Sequence, residues 1–242
     1  MPTLNEIDGM KHIMPQIKPE WCDQIVVSDG GSTDGTVEYA KAHGYTVVRQ
    51  EKPGLINALR DGFKVSTGDI IITFSPDGNS LPELIPALIA KMKEGHDLVI
   101  VSRYRDGARS DDDSLITRFG NWMFTTMINV FFGGNYTDTL VIFRAYKRET
   151  VTRCHLMTDT FFSPERKFPK YAGWDVNSSI RAAKLKLSVA EIPGSEPERI
   201  GGVTKCMRIR NGLVILGEIL YDLVFWKVTP ETVERPRVSS AL

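Results

Sequence analysis

The sequence predicts an α/β fold of Rossmann-like type, a mostly parallel central sheet with helices on both faces. Three observations carry the prediction. From Gln24 to Ser102, strand-like and helix-like segments alternate without a break. The strand-like segments are continuous apolar runs, the pattern of strands covered on both sides. Turn residues stop two of them: Asp29-Gly30-Gly31 after the first, and Ser75-Pro76-Asp77-Gly78-Asn79 after the third.

Taken in order, Gln24 to Ser28 is a short apolar run and hence a buried strand. Ser32-Thr33-Asp34 supply capping side chains for a helix to about Gly44, with Asp34 read as its N-cap. Tyr45 to Gln50 is a second strand, and Gly54 to Ser66 a helix with Leu55, Leu59 and Phe63 on one face. Asp69 to Phe74 is the third strand. Pro82 suits the first turn of the next helix, where its missing N–H is not needed. That helix runs to about Lys93, and His96 to Ser102 is a fourth strand. Met1-Pro2-Thr3 should follow a strand that is missing or nearly so, the pattern of a shortened start.

Beyond Arg103 the rhythm changes. Arg105 to Ser114 is a charged loop containing Asp111-Asp112-Asp113, read as a solvated face, with gating of an acceptor entrance as the other reading. Leu115 to Phe132 is apolar at helical spacing, with Phe119, Trp122, Met123, Met127, Val130 and Phe131 as one broad stripe. Asp138 to Arg144 reads as a strand, Asp175 to Lys184 as a helix and Leu187 to Ile192 as a strand. Arg199 to Arg210 carries four basic residues and no acid. Leu213 to Trp226 is a helix whose polar exceptions are mainly Glu218 and Asp222, and residues from Thr229 suit a loose tail.

With 42% hydrophobic and 25% charged residues, the 242-residue chain has ordinary globular composition, which excludes wholesale disorder. The 30 basic residues balance 30 acidic ones, so no global field favours nucleic acid and any anion site must be local. Cys22, Cys154 and Cys206 lie far apart and outside metal-ligand spacing, as expected of free thiols in a reducing compartment. His12, His43, His96 and His155 show no pairing that suggests zinc or a nucleophile triad. The opening Pro2-Thr3-Leu4-Asn5-Glu6 is polar where a signal peptide needs an apolar stretch. No apolar run approaches the roughly 20 residues of a membrane span. The expected location is the cytoplasm, with peripheral attachment to a membrane face left open by the aromatic-rich segments.

In parallel sheets, ligands sit beyond the carboxyl ends of the strands, where Asp29 and Asp77 both fall. The ordered set Pro2-Thr3-Leu4-Asn5-Glu6, Val27-Ser28-Asp29-Gly30-Gly31-Ser32-Thr33-Asp34-Gly35-Thr36 and Asp77-Gly78-Asn79 resembles the signature of family 2 glycosyltransferases of the GT-A fold. Ser102-Arg103-Tyr104, Arg118-Phe119-Gly120-Asn121, Asp138 and Phe143-Arg144-Ala145 resemble the polyprenyl-phosphate sugar transferases of the dolichol-phosphate mannose synthase kind. The resemblance runs from about Pro2 to Arg210. It implies a GT-A domain over 1–210, an amphipathic C-terminal helix over 211–228 and a flexible tail over 229–242.

The resemblance also implies roles. Pro2, Thr3, Asn5, Glu6 and Asp29 would hold the base and ribose of a UDP- or GDP-sugar, carboxylates being natural acceptors for ribose hydroxyls. Asp77 and Asn79 would hold Mg2+ or Mn2+ against the donor diphosphate, and Asp77 would also count among the donor contacts. The family's pattern there is D-x-D, so Asn79 is a departure that removes one negative charge. Asp138 stands at the position of the family's catalytic carboxylate. A hydroxyl acceptor needs such a base, whereas a phosphate acceptor is already mostly dianionic, and Asp138 would then orient the acceptor or a cation. Arg103, Arg118, Arg144, Arg199 and Lys205 are implied contacts to donor or acceptor phosphate. Val141-Ile142 stands where the family often has Ser-Gly.

The implied activity is transfer of a sugar, with inversion, to a polyprenyl phosphate. Two alternatives stay open: an acceptor hydroxyl on a glycan or small molecule, and a nucleotide-sugar-binding protein without turnover. The expected partners are the nucleotide sugar, a lipid phosphate and a membrane surface, with no nucleic acid. Homo-oligomer formation is left open.

Overall fold

The structure, a computed structural model, describes residues 1–158, 164–167, 173–200 and 208–229. The strands β1 (Pro2–Thr3), β2 (Val26–Asp29) and β3 (Thr46–Arg49) pair in parallel in that order. A second group comprises β4 (Ile70–Thr73), β5 (Leu98–Ser102), β6 (Arg144–Lys147) and β7 (Val189–Pro193), in the spatial order β4-β6-β5-β7. Of these, β5 and β7 are parallel, and β6 alone runs against its neighbours. Strands and helices follow the predicted alternation: α1 (Ile7–Ile13), α2 (Thr36–Ala42), α3 (Leu55–Val65) and α4 (Ile85–Lys93). The fold is α/β with a mostly parallel sheet and helices on both faces.

The apolar runs explain the layering. Leu98, Val99 and Ile100 of β5 are fully buried, and each such side chain removed from water contributes about 1.5–3 kcal/mol. α2 packs on β3, α3 on β2, and α4 on β5 and β6. Within α3 the buried face is Ile56, Leu59 and their neighbours, while Leu55 is exposed. β1 has two residues, anchored where the Met1 amino group donates to the Val26 carbonyl at 2.8 Å. The edges of β2 and β4 border a cavity of about 650 Å3, lined by Val26, Ser28, Ile70 and Ile72 among others.

The C-terminal half is helical on one side. After α5 (Leu115–Phe132) come the short α6 (Arg148–Arg153) and α7 (Pro164–Lys167), then α8 (Trp174–Lys184) and α9 (Arg208–Val224). α5, α8 and α9 pack on one another. The polar exceptions of α9 point inward. Glu218 accepts from the Gly173 N–H at 3.0 Å and Asp222 pairs with Arg181 at 3.0 Å, both essentially buried. Of the tail expected over 229–242, all but Thr229 lies outside the described residues.

Three expectations are corrected. Residues 138–143 form no strand, and only Arg144 begins β6. The amides there bond to side chains instead of a ladder: Thr139 N–H to Thr125 Oγ1, Leu140 N–H to Asp138 Oδ1, Asp138 N–H to Glu191. On α5 the inward face is Asn121, Phe124, Thr125, Ile128 and Phe132, so much of the expected stripe faces out. Phe119 is 60% exposed, Trp122 61% and Val130 71%, making the outer face of this helix strongly apolar. Asp34 sits one residue before the cap of α2, which is Gly35. It still serves the turn, accepting from the Thr36 N–H at 3.0 Å and from the Ile7 N–H of α1 at 3.1 Å.

Of the thiols, Cys154 is buried, and that burial pushes its pKa up to about 12, which keeps it an unreactive thiol. Cys206 lies outside the described residues.

Candidate active site

Parallel strands bring their carboxyl ends to one edge, and β6, running the other way, brings its entrance to that same edge. Thr3, Asp29, Asp77, Arg103 and Asp138 are gathered there for this reason.

The first motif is knitted to the loop after β2. Asn5 donates its N–H to Ser32 Oγ at 2.8 Å and accepts from the Thr33 N–H at 2.9 Å. Asn5 takes a φ of +54°, a left-handed conformation that asparagine tolerates. Asp29 is buried, accepting from the Gly31 and Ser32 N–H groups at 2.8 and 3.0 Å and from Thr3 Oγ1 at 3.3 Å. It therefore shapes the turn with both carboxylate oxygens. Pro2 is half-buried beside Thr3 in β1.

The Asp77 turn is held from two sides by close approaches that need glycine. A Cβ on Gly9 of α1 would stand 2.3 Å from the Pro76 carbonyl oxygen. Gly78 has a φ of +96°, and its added Cβ would stand 2.7 Å from Ile200 Cγ1. The Ile200 N–H donates to the Asp77 carbonyl at 2.7 Å, so the chain after β7 lies directly against the turn.

That contact places Arg199 on the Asp77 carboxylate, Nη2 to Oδ2 at 2.7 Å, with its Nη1 3.8 Å from Glu6 Oε1. Asn79 donates through Nδ2 to Asp112 at 3.0 Å and to Glu196 at 3.5 Å. Two carboxylates facing Nδ2 fix the orientation of the amide. Its oxygen Oδ1 is then buried with no donor to it among the described residues. Asp77 and Asn79 thus offer one carboxylate and one unsatisfied amide oxygen, a donor set that suits a hard divalent cation completed by ligand oxygens. Among the described residues, no cluster of three or more His, Cys, Asp or Glu side chains could hold a metal by itself.

Asp138 is fully buried and bound by Arg103 through two bonds, Nε to Oδ2 at 2.6 Å and Nη2 to Oδ1 at 3.0 Å. The third arm of Arg103 reaches Glu196 at 3.0 Å. Burial works against the charge of Arg103, but Asp138 and then Glu196 hold it protonated well above its ordinary range. Asn79, Glu196, Arg103 and Asp138 form one continuous chain of hydrogen bonds.

Some expected residues stand elsewhere. Arg144 is fully buried, donating through Nε and Nη1 to the carbonyls of Val141 and Asp175 and to Ser178 and Ser179, and so braces β6 against α8, with Nη2 buried without a partner among the described residues. Arg118 is exposed on α5 and makes no bond to the Arg103–Asp77 network among the described residues. Lys205 lies outside the described residues. The aspartate loop is docked, Asp112 to Asn79 and Asp113 to the Tyr104 hydroxyl. Glu196 and Glu191 are the residues missed. Glu191 accepts from Thr137 and Asp138 N–H groups. Glu191 stands in the middle of β7 and Glu196 three residues past its end, so the strand-end rule that placed Asp29 and Asp77 does not single out Glu191 and points only to the region of Glu196.

Comparison with known proteins agrees with this geometry. Residues 1–153 match "Glycosyl transferase family 2". An undecaprenyl-phosphate mannosyltransferase of Micrococcus luteus is 27% identical over 93% of this chain and 91% of its own. An uncharacterized protein of Methanocaldococcus jannaschii is 32% identical over 93% of this chain and 91% of its own. Among solved structures, glucosyl-3-phosphoglycerate synthase of Mycobacterium tuberculosis, in complex with Mn2+, UDP-glucose and phosphoglyceric acid, superposes with a TM-score of 0.66. It is 22% identical, over 90% of this chain and 77% of that one, a likeness of fold. The chain belongs to glycosyl transferase family 2 and is a glycosyltransferase of the GT-A fold.

Proposed function

We propose that the protein moves a sugar, with inversion, from a UDP- or GDP-sugar to a polyprenyl phosphate. The observation that carries this reading is the state of Asp138. Fully buried and bound on both oxygens by Arg103, it is not placed to take a proton from an attacking hydroxyl. An acceptor phosphate brings its own nucleophilic oxygen, because its second ionisation near pH 6 is complete enough at neutrality. The printed name of the Micrococcus luteus relative supports the same acceptor class.

In this reading Asp29, Thr3, Asn5 and Glu6 shape and line the nucleoside end, and Pro2 sets the first strand beside them. Asp77 and Asn79 would hold Mg2+ or Mn2+, which supplies charge neutralisation for the departing diphosphate. Arg199 offers a guanidinium fork to the phosphates of the donor. Asp138 holds Arg103 in place beside the reacting centre. The test is transfer of radiolabelled sugar from UDP- and GDP-donors to a panel of polyprenyl phosphates and the matching polyprenols. Transfer to polyprenols or soluble hydroxyls, with none to the phosphates, would overturn the acceptor assignment.

A lipid acceptor requires access to a membrane face. No helix among the described residues is long and apolar enough to cross a membrane. Instead, neighbouring α5 and α9 expose Leu115, Phe119 and Trp122 on one, and Ile209, Leu213 and Leu220 on the other. Exposed apolar side chains with Arg118 among them suit the interface of an anionic bilayer, which supports peripheral attachment to a membrane face. The expected result is flotation with anionic liposomes at low salt, reduced by Phe119→Ser with Trp122→Ser. Equal recovery at the bottom of the gradient for parent and variant would remove the membrane assignment.

A further inference from the structure

We propose that Arg199 is a built-in counter-cation of the metal position: it neutralises Asp77 while the site holds no donor, and metal entry moves it onto the donor diphosphate. The proposal rests on the reading of Asp77 and Asn79 as the metal position. Three observations point to it.

First, the Arg199 guanidinium bonds the one free oxygen of the only carboxylate in the Asp77-Gly78-Asn79 turn, Nη2 to Oδ2 at 2.7 Å. The other oxygen already accepts from the Asn79 N–H at 3.1 Å. A metal ion on Oδ2 and the guanidinium on Oδ2 therefore exclude each other in this geometry. Second, the arrangement leaves polar atoms unsatisfied. Asn79 Oδ1 and Arg199 Nε are both buried without a partner among the described residues. An acceptor without a donor and a guanidinium N–H without an acceptor, each on a side chain at the Asp77 turn, suit a further ligand set, since such atoms cost free energy when left unmade. A cation satisfies the first, and a phosphate oxygen the second. Third, Arg199 is tethered in a way that permits the exchange. The neighbouring Ile200 N–H holds the Asp77 carbonyl, so the backbone keeps its place while the side chain, 23% exposed, can turn.

The consequence is coupling. Metal alone must displace a cation at its own charge site. Metal arriving with a diphosphate gives the displaced guanidinium a new partner, so each ligand strengthens the other. Asn79 is neutral, so the turn holds a single carboxylate, and one carboxylate cannot hold both cations, which increases the dependence.

Mn2+ titration of the full chain, followed by the loss of free-ion EPR signal, tests this without turnover. Measurements are made with Mn2+ alone and with Mn2+ plus UDP or GDP. The parent is expected to take up Mn2+ weakly alone and strongly with nucleotide. Arg199→Ala should bind Mn2+ alone about tenfold more tightly, the scale of one close charge removed from a partly screened site. Arg199→Lys should stay weak, since it keeps the charge. In the alanine variant, nucleotide should add less to Mn2+ binding than in the parent. Arg199→Gln keeps hydrogen bonding without charge and replaces the alanine variant if thermal melts show that variant unfolded. Unchanged affinity for Mn2+ alone in the uncharged variants, with nucleotide-supported binding intact, overturns the role of Arg199 and leaves the metal position standing. No Mn2+ uptake by any protein even with UDP and GDP overturns the metal position itself.

Discussion

Asp77→Ala is expected to lower turnover by at least about 10²–10³-fold, the usual cost of removing one preorganised charge contact to a departing anion. The carboxylate is the sole charge in the turn, and no group of three or more His, Cys, Asp or Glu side chains among the described residues could hold a metal without it. The fold should survive, because the turn keeps its backbone bond to Ile200 and its close fit to Gly9. The checks are steady-state rates with saturating donor, with and without excess chelator, beside a thermal melt. Turnover of the parent persisting in excess chelator would overturn the metal assignment, and Asp77 would then be a direct contact to a sugar hydroxyl. The partner variant is Asn79→Asp, which restores the family's charge count. The structure adds a cost to it: Asn79 donates to Asp112 and Glu196, and a carboxylate there would face two others. Asn79→Asp should therefore melt lower than the parent without metal and gain more from added Mn2+.

Much of this was legible in the sequence because it follows from strand ends. Asp29, Asp77 and Arg103 terminate or follow runs such as Leu98 to Ser102, whose burial needs no knowledge of partners. Once the sheet is mostly parallel, their meeting at one edge is geometry. What was not legible depends on partners distant in sequence. Arg144 looks like any basic residue near a motif, yet it is fully buried, with its Nε and Nη1 taken by Val141, Asp175, Ser178 and Ser179. Residues 138–143 are apolar enough for a strand, but side chains from Thr125 and Glu191 take their amides. On α5, apolar residues occupy both faces, so periodicity alone cannot choose between them. The buried face carries Phe124, Ile128 and Phe132 with Thr125, whose hydroxyl pairs with Thr139 at 2.9 Å, a partner that periodicity does not reveal. Glu196 lies in a Pro- and Gly-containing stretch with no strand of its own, so nothing local marks it as the link between Asn79 and Arg103.

Asp138→Asn separates two roles that the sequence alone leaves open. A general base that is otherwise dispensable would leave stability intact and lower the rate by on the order of 10²–10⁴, with loss of the pH dependence it had imposed. A buried partner of Arg103 behaves differently. Neutralising it leaves a guanidinium that is only 11% exposed without its bidentate acceptor, with Glu196 as the remaining anion. Breaking one side of such a pair costs about 3–5 kcal/mol. In a chain of this length that lowers the melting temperature by on the order of 10 °C. Arg103 would also lose its fixed direction, so turnover on a polyprenyl phosphate should fall along with stability. The remaining activity should be flat above pH 7, where the acceptor phosphate is already ionised. Thermal melts and pH–rate profiles on the same preparation decide between the two roles. An unchanged melting temperature with a steep rate loss makes Asp138 a base despite its burial, and an acceptor hydroxyl would then replace the phosphate.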